Sequence, residues 1–302
     1  MVTTHPTGDQ YEITFEGHRA VVTEVGATLR VYSVDGRDVV SGFGADEVVH
    51  GGRGMQLLPW PNRIRDGRYT FDGTEQQLAL TEPKRHNAIH GLVRHVPWEL
   101  VSHSADSVTQ RVRVYPQPGW PSILEATLTH AVSAEGLGVE VAATNVGAKP
   151  VPFGYAAHPY FTVGEDVVDD IVLELPAASY LEVDDRLLPI KVTPVEGTDK
   201  DFRAGHRLDS VNLDTAFTDL ARDTDGRCRV KLSMGERYVE MWGDETMTWL
   251  QVFTGEHRRD IALAVEPMTC GPNAFNPGPT EAGVIMLQPG ESYTGRWGVV
   301  GH

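Results

Sequence analysis

Three side chains able to move protons near neutral pH stand in Gly/Pro-marked stretches of this chain. They are His90 in Asn87-Ala88-Ile89-His90-Gly91, His158 in Ala157-His158-Pro159-Tyr160-Phe161, and Glu266 in Ala264-Val265-Glu266-Pro267-Met268. Imidazole and carboxylate suffice for general acid–base chemistry without a metal or organic cofactor. Each is nearly balanced by an ordinary structural role. Gly91 beside His90 favours a close backbone approach to a ligand. Pro159 biases His158 toward extended backbone, and its small and aromatic neighbours suit a pocket wall. Glu266 closes a very apolar run, so its carboxyl should be partly buried and its pKa raised. An ion pair with Arg258 or Arg259 is the structural alternative for Glu266.

Further polar candidates surround these. Leu57-Leu58-Pro59-Trp60-Pro61-Asn62-Arg63-Ile64 reads as a rigid loop ending in the donors of Asn62 and Arg63. The Arg63 guanidinium, with five N–H donors in a fixed fork, suits hydroxyl or carboxylate oxygens, or a surface acid. Asp214 in Asn212-Leu213-Asp214-Thr215 fits a ligand hydroxyl or an Asx turn. His86 and His90 have i, i+4 spacing, but the acid of an HExxH pattern is missing and Gly91 discourages a helix, so no metal site is expected. Trp60, Trp120, Trp242 and Trp249 suit sugar stacking, though most should be core. No GxSxG elbow, P-loop or GxGxxG stands ahead of a helix, and no cofactor is expected.

The elements that must hold these residues read as strands. Arg111–Tyr115, Leu137–Val141 and Arg229–Met234 alternate apolar and polar residues, the mark of half-buried strands. Ile171–Leu175 and Ile261–Val265 are more apolar and read as strands covered on both faces. Turn signals recur at Asp35-Gly36, Asp72-Gly73, Glu135-Gly136, Asp225-Gly226 and Pro289-Gly290. Short helical turns are expected only near Asp46–Val49 and Asp201-Phe202. The expected fold class is all-β, a large antiparallel β-sandwich forming one domain over residues 1–302.

Composition bounds the partners. The chain has 302 residues and a net charge of −16, which argues against nucleic acid and anionic membranes. No apolar run approaches the ~20 residues of a transmembrane helix. The N-terminus shows no signal peptide. Cys228 and Cys270 form no CxxC pair, which fits a reducing compartment. The expectation is a cytoplasmic protein, monomer or homodimer, whose partner is a small-molecule sugar.

Order along the chain adds what single residues do not. Pro61-Asn62-Arg63-Ile64, the hairpin Gly67–Gly73, Asn87–Gly91, His158-Pro159-Tyr160-Phe161, Leu213–Phe217, Glu266 and Leu287–Tyr293 follow one another. This sequence resembles the aldose 1-epimerase (galactose mutarotase) family over nearly its whole length. The resemblance implies a galactose mutarotase-like β-sandwich and cofactor-independent interconversion of α and β anomers of a free aldohexose. It also implies roles: Glu266 as general base on the anomeric hydroxyl, His158 as the acid at the ring oxygen, and His90, Arg63, Asp214 and Asn62 as sugar-binding groups. The family's His-Gly-Gly is His90-Gly91-Leu92 here, its His-Ser-Tyr-Phe-Asn is His158-Pro159-Tyr160-Phe161-Thr162, and its Glu-Thr-Gln is Glu266-Pro267-Met268. These departures mark a divergent branch and bear on substrate identity. A hexose-6-phosphate epimerase would need convergent basic residues, for which Arg53, Arg63, Lys84, Arg85 and Arg94 are the candidates. A non-catalytic carbohydrate-binding protein and a β-sandwich glycosidase or lyase are the readings from other classes.

Overall fold

The computed structural model describes residues 4–164, 168–255 and 262–301. Strands dominate it, and every strand pair in it is antiparallel. Among the described residues, helix is confined to three short 3₁₀ segments, Pro83–Arg85, Val168–Asp170 and Glu281–Gly283. Asp46 lies in a turn, the turn after Asp201-Phe202 falls on Arg203-Ala204, and neither stretch opens a helix.

Two large sheets carry the architecture. A nine-stranded sheet has as its centre Leu124–Ser133, Gly136–Asn145, Ser292–Gly301 and Arg237–Gly243. Its long strands alternate strictly. In Leu124–Ser133 every second residue from Leu124 is buried, and the residues between face outward. One face therefore joins the core and the other is wet, as the sequence pattern requires. An eight-stranded sheet runs in the order Pro189–Pro194, Ala177–Val183, Asp214–Leu220, Trp249–Phe253, Leu263–Met268, Ala156-Ala157 and Gln56-Leu57. Tyr160-Phe161 is its eighth strand and also pairs with Leu263–Met268.

Between the sheets lies one continuous apolar core. Leu128, Val139, Val141, Trp297 and Val230 come from the nine-stranded sheet, and Phe217, Leu250, Val252, Leu263 and Val265 from the other. A four-stranded sheet contributes Ile13, Ala20, Val22 and Tyr32 to the same core. The strand Leu263–Met268 is buried at all six positions, so both its faces are covered, as its apolar run predicts. Ile171–Leu175 differs. The strand there is Val172–Glu174, near a sheet edge, and burial alternates along it, so only one face is covered.

The turns follow from backbone chemistry. Asp35-Gly36 and Asp72-Gly73 both take positive φ and close two-residue hairpins, the geometry that matches strand twist. At the Glu135-Gly136 signal the turn is one residue earlier, because Gly136 already pairs with Ser133.

Candidate functional site

Strand register brings the acid–base residues together. Ala156 pairs with Met268, and Tyr160 with Ala264. The residue midway between the first two, His158, therefore stands opposite the residue midway between the second two, Glu266. The short loop at His158 interrupts the ladder there, so Pro267 needs no N–H on that side. Glu266 is opposite Gln251 on its other flank, and Gln251 is opposite Ala216. His158 N–H donates to the Met55 carbonyl at 3.0 Å. Met55, His158, Glu266, Gln251 and Ala216 thus form one row across the sheet, with Asp214 two residues from Ala216 on the same face. Val265 and Leu263, out of phase by one, point into the core.

Glu266 is therefore in the interior of a strand, not in a loop. Its carboxyl Oε1 lies 3.3 Å from His158 Nε2, with the side chains only 3% and 6% exposed. The two touch, as buried polar groups do when they are each other's nearest partner. Burial raises the Glu266 pKa well above the carboxylate range, and nearby Asp214 adds to the shift while Arg63 opposes it. Burial pushes His158 down to about 3. The pair is therefore held as carboxylic acid and neutral imidazole. An imidazolium is disfavoured by the desolvation a charged ring would suffer here. Arg258 and Arg259, the alternative partners for Glu266, lie outside the described residues.

The opposite wall comes from a short ladder between Arg63–Arg65 and Asn87–Ile89. His90 has φ 64° and donates its backbone N–H to the Asn62 carbonyl at 2.9 Å. Gly91 has φ 69°, and a Cβ there would stand 2.0 Å from the Leu58 carbonyl oxygen, so only glycine lets the loop approach this closely. The His90 ring meets the His158 ring edge-on at 5.4 Å, while Tyr160 stacks on His158 at 5.2 Å. Burial, then the charge of Arg94 and the neighbouring His158, hold His90 well below its ordinary pKa. His90 Nδ1 and Glu266 Oε2 are buried and have no hydrogen-bond partner among the described residues.

Arg63 is ion-paired as well as site-facing. Its Nε donates to Glu82 at 2.9 Å, and its Nη2 is 3.5 Å from Asp214 Oδ2. Asn62 holds the segment: at φ 51°, its side-chain oxygen accepts the Arg63 backbone N–H at 2.9 Å. Asp214 accepts from Gln251 Nε2 at 2.5 Å and opens a strand, so it is no Asx turn. His158, Glu266, His90, Arg63, Asp214 and Asn62 are thus gathered in one connected cluster. Glu82 and Gln251 belong to it and escaped the sequence reading. Gln251, a lone polar residue in the apolar run Trp249–Phe253, carries the same signature that drew attention to Glu266. Glu82, in Thr81-Glu82-Pro83, looks like an ordinary turn residue.

The remaining candidates disperse. His86 is exposed and pairs with Asp66 at 2.9 Å. No cluster of three metal-ligating side chains occurs among the described residues. Lys84 and Arg85 are exposed, and Arg85 pairs with Glu82. Arg53 turns to the Gly42 carbonyl and the Phe43 ring. Trp60, Trp120 and Trp249 are buried, while Trp242 carries Arg227 over its ring at 3.9 Å. A cleft of about 1030 Å³ between Val31–Glu47 and Arg237–Val239 shares none of the cluster's residues.

A sandwich of this topology is a galactose mutarotase-like fold. The backbone superposes on a galactose mutarotase-like protein of Clostridium acetobutylicum with a TM-score of 0.87, covering 96% of this chain and 94% of that one at 17% identity. The aldose epimerase homologue of C. elegans matches with a TM-score of 0.85 over 97% and 98% of the two chains at 22% identity. At such identities these likenesses speak for the fold alone. Sequence comparison carries the family. The aldose 1-epimerase family model matches residues 9–299. YihR of Escherichia coli K12 is 32% identical over 293 residues, 96% of this chain and 92% of its own. Galactose mutarotase of Sus scrofa is 26% identical over 323 residues, 95% and 92% of the two chains. The chain belongs to the aldose 1-epimerase family. Among the described residues, no helix is long and apolar enough to cross a membrane.

Proposed function

We propose that this protein interconverts the α and β anomers of an aldohexose by acid–base ring opening at Glu266 and His158. The contact between Glu266 Oε1 and His158 Nε2 carries the reading. Such a pair holds one proton in either of two arrangements. With the ring closed, Glu266 is carboxylate and His158 imidazolium. Glu266 takes the O1 proton as C1=O1 forms, the C1–O5 bond breaks, and His158 gives its proton to O5. The pair is then carboxylic acid and neutral imidazole, the arrangement that burial favours. Rotation about C1–C2 followed by the reverse steps closes the ring on the other face. O1 and O5 share one carbon, so an acid and a base that nearly touch are well placed to serve both. Arg63, Asp214 and His90 border the pair and supply donors and acceptors for hydroxyls, with Asn62 fixing the Arg63 backbone.

Polarimetry of freshly dissolved α-aldoses tests this. The protein should speed the approach to equilibrium, and Glu266→Gln and His158→Asn should each remove ~10²–10⁴ of the rate while keeping the circular dichroism of the fold. Acceleration of no aldose, with sugar binding retained, would leave a carbohydrate-binding protein instead. Release of product from a disaccharide would point to a glycosidase.

A further inference from the structure

From the surroundings of Arg94 we infer that the preferred substrate is an aldose carrying a negatively charged substituent, which this arginine binds. The inference rests on the proposed function and names its substrate class. Arg94 is largely enclosed, and its one hydrogen bond among the described residues runs from Nη2 to the Ile89 carbonyl at 3.3 Å, the carbonyl that precedes His90. Its Nε is buried without a partner. No carboxylate among the described residues pairs with it.

In a chain with 42 acidic and 26 basic residues many arginines find an acid, while Arg30 and Arg222, like Arg94, donate to backbone carbonyls and have no ion pair among the described residues. Arg19, Arg63, Arg111, Arg113, Arg186, Arg203, Arg207 and Arg229 all have carboxylate partners. Arg63, the other guanidinium at the site, is already committed to Glu82 and Asp214. An enclosed guanidinium with no counter-ion is costly unless an anion arrives to complete it. A planar fork with free donors is suited to a carboxylate or phosphate oxygen pair.

Charge bookkeeping at the reacting centre points the same way. The Arg94 charge disfavours protonation of His90 and His158. An anion on Arg94 offsets that charge and so favours the imidazolium–carboxylate arrangement that a closed ring requires. A charged substrate would thereby prepare its own acid. Among the described residues no second unpaired cation is placed beside Arg94: Lys84 is exposed, Arg85 pairs with Glu82, and Arg53 turns to the Gly42 carbonyl. A singly charged group, such as a uronic acid carboxylate, fits it better than a phosphate dianion.

Two measurements test this separately from the catalytic reading. Anomerisation of galacturonate, glucuronate, glucose 6-phosphate, galactose and glucose is followed by NMR exchange. A kcat/KM at least ~10-fold higher for an anionic sugar than for its neutral counterpart is expected, and the better of uronate and phosphate identifies the anion. In Arg94→Gln the ratio should fall to about one, and Arg94→Lys should restore part of it. Equal or better use of neutral sugars by the wild type, or a ratio unmoved in Arg94→Gln, overturns the inference. Calorimetric binding of methyl β-glucuronide against methyl β-glucoside, neither of which can open its ring, reads the same preference without turnover. Should no aldose be turned over, the proposed function fails, while tighter glucuronide binding lost in Arg94→Gln still upholds the anion site, and its absence removes it.

Discussion

A carboxyl group and an imidazole in contact share one proton, and their pH behaviour belongs to the pair. Acid adds a second proton when it overcomes the lowered affinity of His158, at about 3, and the base is then lost. Alkali removes the only proton at the raised pKa of Glu266, and the acid is then lost. Between these limits the pair keeps its one proton. On its acid side the kcat/KM of the wild type, corrected for spontaneous mutarotation, should therefore not fall as pH drops through 6.5, where an ordinary histidine takes up its proton, but only toward the lowered pKa of His158. An acid-side loss centred near pH 6.5 would contradict the pairing. Stability gives a second measure. The native Glu266 carboxyl binds a proton above pH 4.5, where the unfolded chain releases it, so its contribution to stability is lost as pH rises toward its native pKa. Glu266→Gln removes that slope. In urea unfolding its advantage over wild type should be small at pH 4.5 and grow by up to ~1.4 kcal/mol for each unit of pH until the native pKa is passed.

At the scale of elements, two supports hold the cluster in place. Gly52 has φ 72°, and a Cβ there would stand 2.9 Å from His158 Cδ2. Gly52→Ala should lower kcat at least ~10-fold by pushing the ring off Glu266, at a stability loss of only ~1–2 kcal/mol from the left-handed backbone. Comparable losses in stability and activity would show a general distortion instead. Glu82 holds Arg63 by two guanidinium nitrogens and also accepts from Asn87. Glu82→Gln leaves a nearly buried cation half-paired, a loss of ~3 kcal/mol by the usual magnitude. KM should rise as Arg63 shifts toward Asp214, and thermal melting with saturation kinetics reads both. These supports explain what the sequence concealed. Glycines and turn acids are common, and only the fold shows which one touches a reactive ring.

Across the whole molecule, the alternating strands were legible because a half-buried sheet imposes a period of two on its residues, as Leu124–Ser133 shows. That the strand of Glu266 runs on to Met268 was not, since Pro267 reads as a strand terminator until the interrupted ladder at His158 is seen. The contact of His158 with Glu266, 108 positions apart, depends on pairing that no local pattern encodes. The main core also holds a cost of its own. His130 is fully buried with neither ring nitrogen bonded, and burial pushes it down to about 3. Its native pKa is depressed, so the unfolded chain takes up the proton first, and stability is lost as pH falls from 6.5 toward 3. His130→Leu should move the acid unfolding midpoint to lower pH while leaving stability at pH 8 equal or higher, as equilibrium unfolding at pH 5 and pH 8 would show.

The single row from Met55 to Ala216 also sets how this site tolerates change. Each member owes its direction to strand parity, so deleting or inserting one residue within Leu263–Met268 would turn Val265 or Pro267 outward and drive the Glu266 carboxyl into the apolar interior. Point substitutions around the row leave this parity intact. Length changes within it abolish reactivity and folding together. Protein engineers can therefore vary Leu92 and Pro159, provided that Gly91 and His158 are kept and the residue count within Leu263–Met268 is left untouched.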